Sequence, residues 1–383
     1  MPNRQSNLST QPAQIPDARG QVVLSAVIKE HLLTGEPVGS RAVSSRFSHG
    51  AGWSSATVRH VMAELEEAGF VEQPHTSAGR VPTDMGYRFY VDHMLGEAHL
   101  LPEDMAAINE LLGGAADDPV GSANVTANNN TTAPDRLMAK TSHLLSAISE
   151  NVGIVISPSL AENRLRHIEF MQLADKRILV VLVSTANIIH NKIIRLDEQL
   201  SQLELERTAR YLNTEFSGKS LRAIRSEILQ LMREEKSLYD ELLRHAILLC
   251  SHSLEGEEAC EGEVYIDGAS NILAKPDFPD VERMRELLRT FEEKSRLVKI
   301  LNECVGRGAA SEVQVSIGRE HAAPSMYNCT LITAPYRIGE GDAVGALGVV
   351  GPMRIEYERM MCVVNYIARL VERMLVGEKD NFV

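Results

Sequence analysis

The segment from residue 37 to residue 92 constrains the fold most, because it places three short elements in a characteristic order. A short helix is predicted at 40–47, a longer helix that opens with small polar residues at 54–68, and a β-hairpin with a Gly-Arg pair at its tip at 70–82. This order is typical of a winged helix-turn-helix, whose second helix normally lies in the major groove of DNA. The segment therefore predicts a regulator of transcription rather than an enzyme.

Caps and turn residues fix the ends of the predicted helices. Gly35 is suited to end an amphipathic first helix, because glycine readily adopts the left-handed backbone found after many helices. Ser40 and Ser54 are plausible N-caps for the second and third helices. Thr83 or Asp84 is expected to cap a further helix that follows the hairpin.

The start of the third helix and the hairpin carry the candidate DNA contacts. Arg59 is able to bind guanine O6 and N7 with two hydrogen bonds, although an isolated arginine is more often an ordinary solvated side chain. Gly79 is expected to adopt a positive φ, and Arg80 beside it is expected to contact phosphate or the minor groove. The full set of predicted DNA-binding residues is Arg41, Ser54, Ser55, Ala56, Thr57, Arg59, His60, His75, Ser77, Gly79 and Arg80.

The charge distribution argues for selective rather than general DNA binding. The formal net charge is −13, of which residues 1–95 contribute only about −1, so the remainder of the chain is strongly acidic. An acidic body repels DNA at long range, which disfavours non-specific occupancy. The basic groups of the N-terminal region must then share one face, and they are Arg41, Arg46, Arg59, Arg80 and Arg88.

Other chemistry finds little support in the sequence. No nucleophile elbow, Walker A loop, HExxH pair or dinucleotide-binding glycine pattern is present, so we expect no enzyme activity. The five cysteines have no CxxC spacing and are read as reduced thiols, mostly buried; no cofactor and no metal are expected. No signal peptide and no membrane span are recognised, so we expect a cytoplasmic protein, associated with the nucleoid when bound to DNA.

Three runs of the chain, two early and one late, form a recognisable pattern. They are GSRAVSSRF, SSATVRHVMAELEEAGFVEQPHTSAGRVPTDMGYRFYVD and VSIGREHAAPSMYNCTLITAPYRIGEGDAVGALGVVGPMRIEYERMMCVVNYIARLVERML. Together these runs resemble the HrcA family of bacterial heat-inducible transcription repressors. A family segment Ile-Gly-x-Glu-x is matched by Ile317, Gly318 and Glu320. A second segment, Gly-Pro-x-Arg-x-x-Tyr, is matched by Gly351, Pro352, Arg354 and Tyr357. The departures from the family pattern are His321, Met353 and Ile355.

The resemblance implies an α+β multidomain fold, namely a winged helix-turn-helix followed by a GAF-like α/β domain with an inserted helical dimerisation segment. It implies a homodimer that binds an inverted-repeat operator, the CIRCE element, and represses heat-shock chaperone operons. Its activity would be maintained by the GroE chaperonin and lost on heat stress. The expected divisions are a disordered N-terminus at 1–17, the DNA-binding domain at 18–100, the GAF-like domain at 101–196 and 263–383, a flexible insertion at 113–134 and the dimerisation domain at 197–262.

Within the GAF-like part, strands are predicted at 151–157, 167–173, 177–184 and 188–196, and a hairpin at 329–350. The run RILVVLVS at 177–184 reads as a strand that is buried on both faces.

Two alternatives stay open. GAF-like domains in general bind small ligands, so the second hypothesis is a ligand-sensing regulator with residues 317–321 in its pocket, although a packing role is favoured for that segment. The third hypothesis is that the nearly neutral N-terminal region docks protein instead of DNA.

Overall fold

The computed structural model describes residues 15–376 apart from 47–51, 77, 97–98, 114–132, 159–163, 186–188, 197–199, most of 222–262, 274, 279, 306–312 and 338–343. The chain is an α+β protein in which helices pack on antiparallel sheets. The expectations for a flexible insertion at 113–134 and for a disordered N-terminus fall almost entirely outside the described residues.

The N-terminal region has the element order that the sequence predicts. It consists of α1 (Ala18–Thr34), α2 (Ser40–Arg46), α3 (Ser55–Glu67), β1 (Val71–Glu72), β2 (Val81–Pro82) and α4 (Asp84–His93). Gly35 follows α1 with a φ of 73°, and the side chain of Ser54 accepts a hydrogen bond from Thr57 N at 3.1 Å. Ser40 is not a cap, because α2 already begins at this residue; its hydroxyl instead lies 2.9 Å from that of Ser55 and joins α2 to α3.

The chain then forms two helices and an internal strand of a larger sheet, namely α5 (Pro102–Gly113), α6 (Ala133–Ser149) and β3 (Val152–Ile156). Every residue of β3 is buried. Such a continuous apolar run is typical of a strand that is covered on both faces.

The next segment forms a small sheet with a core of its own. It contains β4 (Leu165–Gln172), β5 (Arg177–Ser184), β6 (Ile189–Arg195) and α7 (Gln202–Phe216). The amide of Asn213 on α7 bonds both backbone groups of Ile168, at 2.7 and 2.9 Å, and so holds the helix against the edge of β4. The buried side chains of this segment form a cluster separate from the rest of the protein, and they include Phe170, Ile178, Val180, Leu205, Leu212 and Leu249.

The remaining elements complete the five-stranded sheet. They are β7 (Val264–Asp267), α8 (Ala269–Leu273), α9 (Val281–Glu292), α10 (Lys294–Val305), β8 (Gln314–Ile317), β9 (Cys329–Arg337), β10 (Val344–Pro352) and α11 (Tyr357–Val376). The strand order is β7-β3-β10-β9-β8, and every neighbouring pair is antiparallel. Helices α6 and α11 cover one face, and α9 and α10 cover the other. The predicted hairpin at 329–350 is confirmed as β9 and β10.

Two sequence expectations about the sheet are wrong. The strands at 165–195 do not belong to the large sheet, so the inserted segment begins before them rather than at residue 197. It leaves after β3 and returns at β7, two strands that pair directly, with Ser157 N donating to Glu263 O at 2.9 Å. Strand β5 alternates between buried and half-buried positions, because helix α7 covers only one face of its antiparallel sheet.

The N-terminal region and the five-stranded sheet share one hydrophobic core. The same cluster of buried side chains includes Val27 of α1, Val61 of α3 and Tyr87 of α4 together with Ile332 of β9 and Val363 of α11. The rings of Tyr87 and Tyr357 lie 5.8 Å apart, and both side chains are almost fully buried. Residues 18–95 are therefore packed into the body of the protein rather than attached to it by a linker alone.

Candidate nucleic-acid interface

The outer face of α3 is exposed where the sequence predicts DNA contacts. Ser54, Ala56, Thr57, Arg59 and His60 are exposed, and Ser55 is half-buried beneath them. The opposite face is buried in the shared core and consists of Val58, Val61, Met62 and Leu65. This amphipathic pattern fixes the rotation of α3 about its axis, so its first turns point away from the body.

The polar side chains at the start of α3 differ in how far they are already engaged. The hydroxyls of Ser54 and Thr57 lie 3.0 Å apart, and His60 Nε2 lies 3.3 Å from Glu64 Oε1. Within the described part of the chain, the side chains of Arg59 and Arg41 form no hydrogen bond or ion pair with the protein. These two guanidinium groups are therefore available to an external partner.

Arg80 does not occupy the tip of the hairpin, contrary to the sequence prediction. Its backbone pairs with that of Val38 through two hydrogen bonds of 2.8 and 2.9 Å, next to strand β2. Its guanidinium lies 2.7 Å from Glu66 Oε2, and only 19% of the side chain is exposed. Arg80 therefore joins the hairpin to α2 and α3 in the free protein, and a phosphate would have to compete with Glu66.

Gly79 also has a different role from the predicted one. Its φ does not lie in the positive region. A Cβ at this position would overlap the backbone carbonyl of Val38, so glycine is required by the close approach of two chain segments. His75 is exposed in the same loop, where its carbonyl accepts a hydrogen bond from Ala78 N at 2.8 Å, and Ser77 lies outside the described residues.

Arg88 points into the protein and does not contribute to a basic surface. Its Nε donates to Glu320 Oε1 at 2.7 Å, and its Nη2 contacts both Glu320 Oε2 and the carbonyl of Val315. Of the five basic residues expected on one face, only Arg41 and Arg59 are exposed and unengaged in the described structure, while the side chain of Arg46 lies outside it. The arrangement supports a few specific contacts rather than a broad basic patch.

The segment at 317–321 contacts the N-terminal region. Gly318 packs against the carboxylate of Asp84, and Arg319 N donates to Asp84 Oδ2 at 2.9 Å. The carboxylate of Glu320 accepts hydrogen bonds from Arg88. The side chain of His321 is buried, with its Nε2 3.1 Å from Cys329 O. The packing role favoured for this segment is confirmed by these contacts.

The segment that matches the second family pattern, residues 351–357, also contacts the N-terminal region. Arg354 makes two hydrogen bonds to the carboxylate of Asp277, at 3.0 and 3.1 Å, and a third to Leu32 O at the end of α1 at 3.2 Å. The hydrogen bond to Asp277 raises the pKa of Arg354, so the group stays charged. Sequence reasoning missed Asp84, Asp277 and Arg88 as contact residues, and the only signal was that the two late segments carry charged residues in a fixed pattern.

The cysteines that the structure describes are consistent with the predicted thiols. Cys304 and Cys329 are buried, and burial raises the pKa of Cys329 to about 12, which keeps its thiol protonated. Across the described residues, no group of three or more His, Cys, Asp or Glu side chains lies close enough to hold a metal ion. None of the described helices is both long enough and apolar enough to cross a membrane.

The fold and the α3 surface define an α+β protein that presents one helix outward from a larger body. Residues 135–361 match the family model described as "HrcA protein C terminal domain". A Geobacter sulfurreducens protein named heat-inducible transcription repressor HrcA is 41% identical over 360 residues, 94% of this chain and 98% of that protein. A Syntrophobacter fumaroxidans protein of the same name is 36% identical over 357 residues, 93% of this chain and 97% of that protein. The chain belongs to the HrcA family.

A solved structure supports the overall fold. A crystal structure described as that of a hypothetical protein matches with a TM-score of 0.54 at 21% identity, and the match covers 95% of this chain and 99% of that one. At this level of identity the likeness concerns the fold alone.

Proposed function

We propose that this protein is a sequence-specific transcription repressor whose N-terminal region is a winged helix-turn-helix, with α3 as the recognition helix. The observation that carries the proposal is the exposed start of α3, where small residues surround the unengaged Arg59. The relatives named above are heat-inducible transcription repressors, which supports the same role for this chain. Its operator would be the inverted-repeat CIRCE element upstream of heat-shock chaperone operons.

The geometry suggests different roles for the exposed groups. Ser54, Ala56 and Thr57 have short side chains, so the helix N-terminus is able to approach the groove, where its backbone N–H groups favour a phosphate. Arg59 extends from the next turn and would read a guanine edge. Arg41 lies on α2 and would bind phosphate without reading sequence.

An inverted repeat requires a two-fold symmetric protein. We place the dimer contact in the inserted segment between β3 and β7, residues 158–262. The face of its sheet opposite α7 carries a cross-strand row formed by Met171, Leu179 and Ile193. Met171 and Ile193 are about half exposed, at 49% and 56%. Two copies of this apolar row packed together would remove it from water, which favours association.

The regulation that the resemblance implies is also part of the proposal. GroE would keep the repressor in its DNA-binding form, and heat would divert the chaperonin to other unfolded proteins. A chaperonin recognises exposed apolar surface, and a protein with several separate core clusters has more than one way to expose it. The check is to measure operator binding after a heat pulse with and without chaperonin and nucleotide; an equal active fraction in both would contradict this regulation.

The main experiment is a footprint and titration of the purified protein on its own chaperone-operon promoter. Arg59→Ala should weaken binding to the operator by about 1–3 kcal/mol if the side chain reads a base. Arg285→Ala is the matched control, because Arg285 is also an exposed helical arginine but lies on α9, outside both the N-terminal region and the inserted segment. Equal operator affinity of Arg59→Ala and the control would reject the recognition-helix role. Absence of any footprint by the wild type would reject the repressor and favour the protein-docking alternative.

A further inference from the structure

A continuous series of close contacts leads from the recognition helix to α4. Thr83, at the start of α4, accepts a hydrogen bond from Gly86 N at 3.2 Å, and its hydroxyl donates to Gly69 O, just after α3, at 2.6 Å. Gly86 lies so close to the carbonyl of Phe70 that a Cβ would overlap it. Helices α3 and α4 are therefore joined with little freedom to move relative to each other.

The next contacts lead from α4 to the five-stranded sheet. Asp84 and Arg88 lie one helical turn apart and both face the segment at 318–320, which directly follows β8. Asp84 accepts from a backbone N–H, and Arg88 binds both Glu320 oxygens and a backbone carbonyl. Paired charges with several fixed hydrogen bonds define orientation more strictly than apolar packing alone, because their geometry is directional.

A second connection lies on the other side of the N-terminal region. Arg354 spans from the carboxylate of Asp277 to the carbonyl of Leu32 at the end of α1. Gly35 lies in van der Waals reach of the same guanidinium, where a Cβ would come within 3.1 Å of Arg354 Cζ. Two attachments at separate points prevent rotation of the N-terminal region about either one.

We propose that Asp84, Arg88 and Arg354, which form these attachments, are positioning residues. By fixing the orientation of α3, they determine which spacing between half-sites the dimer accepts. The inference rests on the proposed function. The inserted segment, which we propose carries the dimer contact, joins the body where β3 pairs with β7. If the attachments hold each α3 at a fixed orientation to the body, the separation of the two recognition helices in the dimer is fixed. A fixed separation matches only half-sites at one phase of the DNA helix. With the attachments removed, each recognition helix would search for its half-site independently.

The test compares the affinity of full-length variants for three duplexes. The first is the chaperone-operon inverted repeat, and the second is the same repeat with about five base pairs, half a helical turn, inserted between its half-sites. The third is a single half-site. Wild type should bind the first duplex about a hundredfold more tightly than the second, because the shifted half-site cannot be engaged at the same time. In Arg88→Met, this preference should fall by about tenfold because the loosened N-terminal region tolerates the shift. Affinity for the single half-site should stay within about a factor of two, since the reading surface is untouched.

Arg359→Met is the matched control. Arg359 makes an equivalent bidentate pair with Asp104, at 2.8 and 2.9 Å, but this pair joins α11 to α5 and does not contact residues 18–95. The control should retain the wild-type spacing preference. Should Arg88→Met fail to fold, the same spacing preference is measured with Asp84→Ala. This change removes the acceptor for one backbone N–H of the body, that of Arg319.

The outcomes separate the two levels of the argument. Folded, dimeric variants that keep the full preference for the native spacing would overturn the positioning role while leaving the repressor intact. A wild type that shows no preference for an inverted repeat over a single half-site would overturn both the positioning role and the proposed operator. Loss of half-site affinity in Arg88→Met, with the spacing preference retained, would make Arg88 part of the reading surface and also overturn the proposal.

Discussion

The N-terminal region and the inserted segment differ in how they are joined to the rest of the protein. The N-terminal region precedes the sheet in sequence, yet its buried side chains belong to the same core as β9 and α11. The inserted segment lies between two paired strands of that sheet, yet its buried side chains form a separate core. Position along the chain is therefore a poor guide to physical independence, which depends on where each apolar face is buried.

The first prediction breaks the shared core and has the largest expected effect. Tyr357→Ala should lower the free energy of unfolding by about 3–5 kcal/mol, the usual cost of removing a large buried aromatic side chain. Because Tyr357 packs on Tyr87, hydrogen-exchange protection should fall in α3 and α4 as well as in β9. Phe170→Ala is the reciprocal variant, because Phe170 is buried in the separate core of the inserted segment. Its loss of protection should be confined to β4, β5 and β6. If either variant lowers hydrogen-exchange protection equally in the shared core and in the inserted segment, the two parts of the protein unfold together.

The second prediction removes the inserted segment. Ser157 and Glu263 are hydrogen-bonded neighbours, so an Asn-Gly turn between them should convert β3 and β7 into a simple hairpin. The remaining protein should keep its thermal midpoint but sediment as a monomer. Its affinity for the inverted repeat should fall by about a hundredfold, toward that of a single half-site. A shortened protein that still sediments as a dimer would place the dimer contact in the body.

The third prediction concerns one ion pair and has the smallest expected effect. Glu66→Gln should break the ion pair with Arg80 and free its guanidinium to bind phosphate. Affinity for a non-specific duplex should then rise by about 0.2–1 kcal/mol, the usual contribution of a partly exposed ion pair. The salt dependence of binding should steepen by about one phosphate contact. Glu67→Gln changes the net charge equally, but Glu67 is exposed and makes no ion pair with a described residue. An identical response of both variants would attribute the effect to net charge and leave Arg80 a structural residue.

The parts of the fold that depend on local chemistry were predictable from the sequence. The cap at Ser54, the end of α1 at Gly35 and the buried face of α3 follow from side chains within a few residues of each element. The roles of Arg80 and Arg88 were not predictable in this way. Helical periodicity indicates which residues face outward from one element, but the partner of Arg88 lies 232 residues away in sequence.

The limits of the inserted segment were also beyond the sequence pattern. Strands β4 and β5 look like members of the large sheet, because antiparallel strands of any sheet share the same period. The run RILVVLVS is apolar at consecutive positions, so it does not reveal that the residues of one face are only half-buried. Only the pairing of β3 with β7 shows where the segment leaves the sheet and returns.

The strand order of the large sheet has a consequence for synthesis of the chain on the ribosome. Strand β3 is wholly apolar and lies between β7 and β10, and its partner residues in β10 are about 190 residues farther along the chain. At ordinary rates of translation the ribosome needs about 10–40 s to add that length. During this time β3 has been made, but its neighbour β10, the central strand of the sheet, has not. Completion of the core therefore waits for nearly the last part of the protein to emerge, and the nascent chain carries an apolar strand with at least one unpaired edge until then.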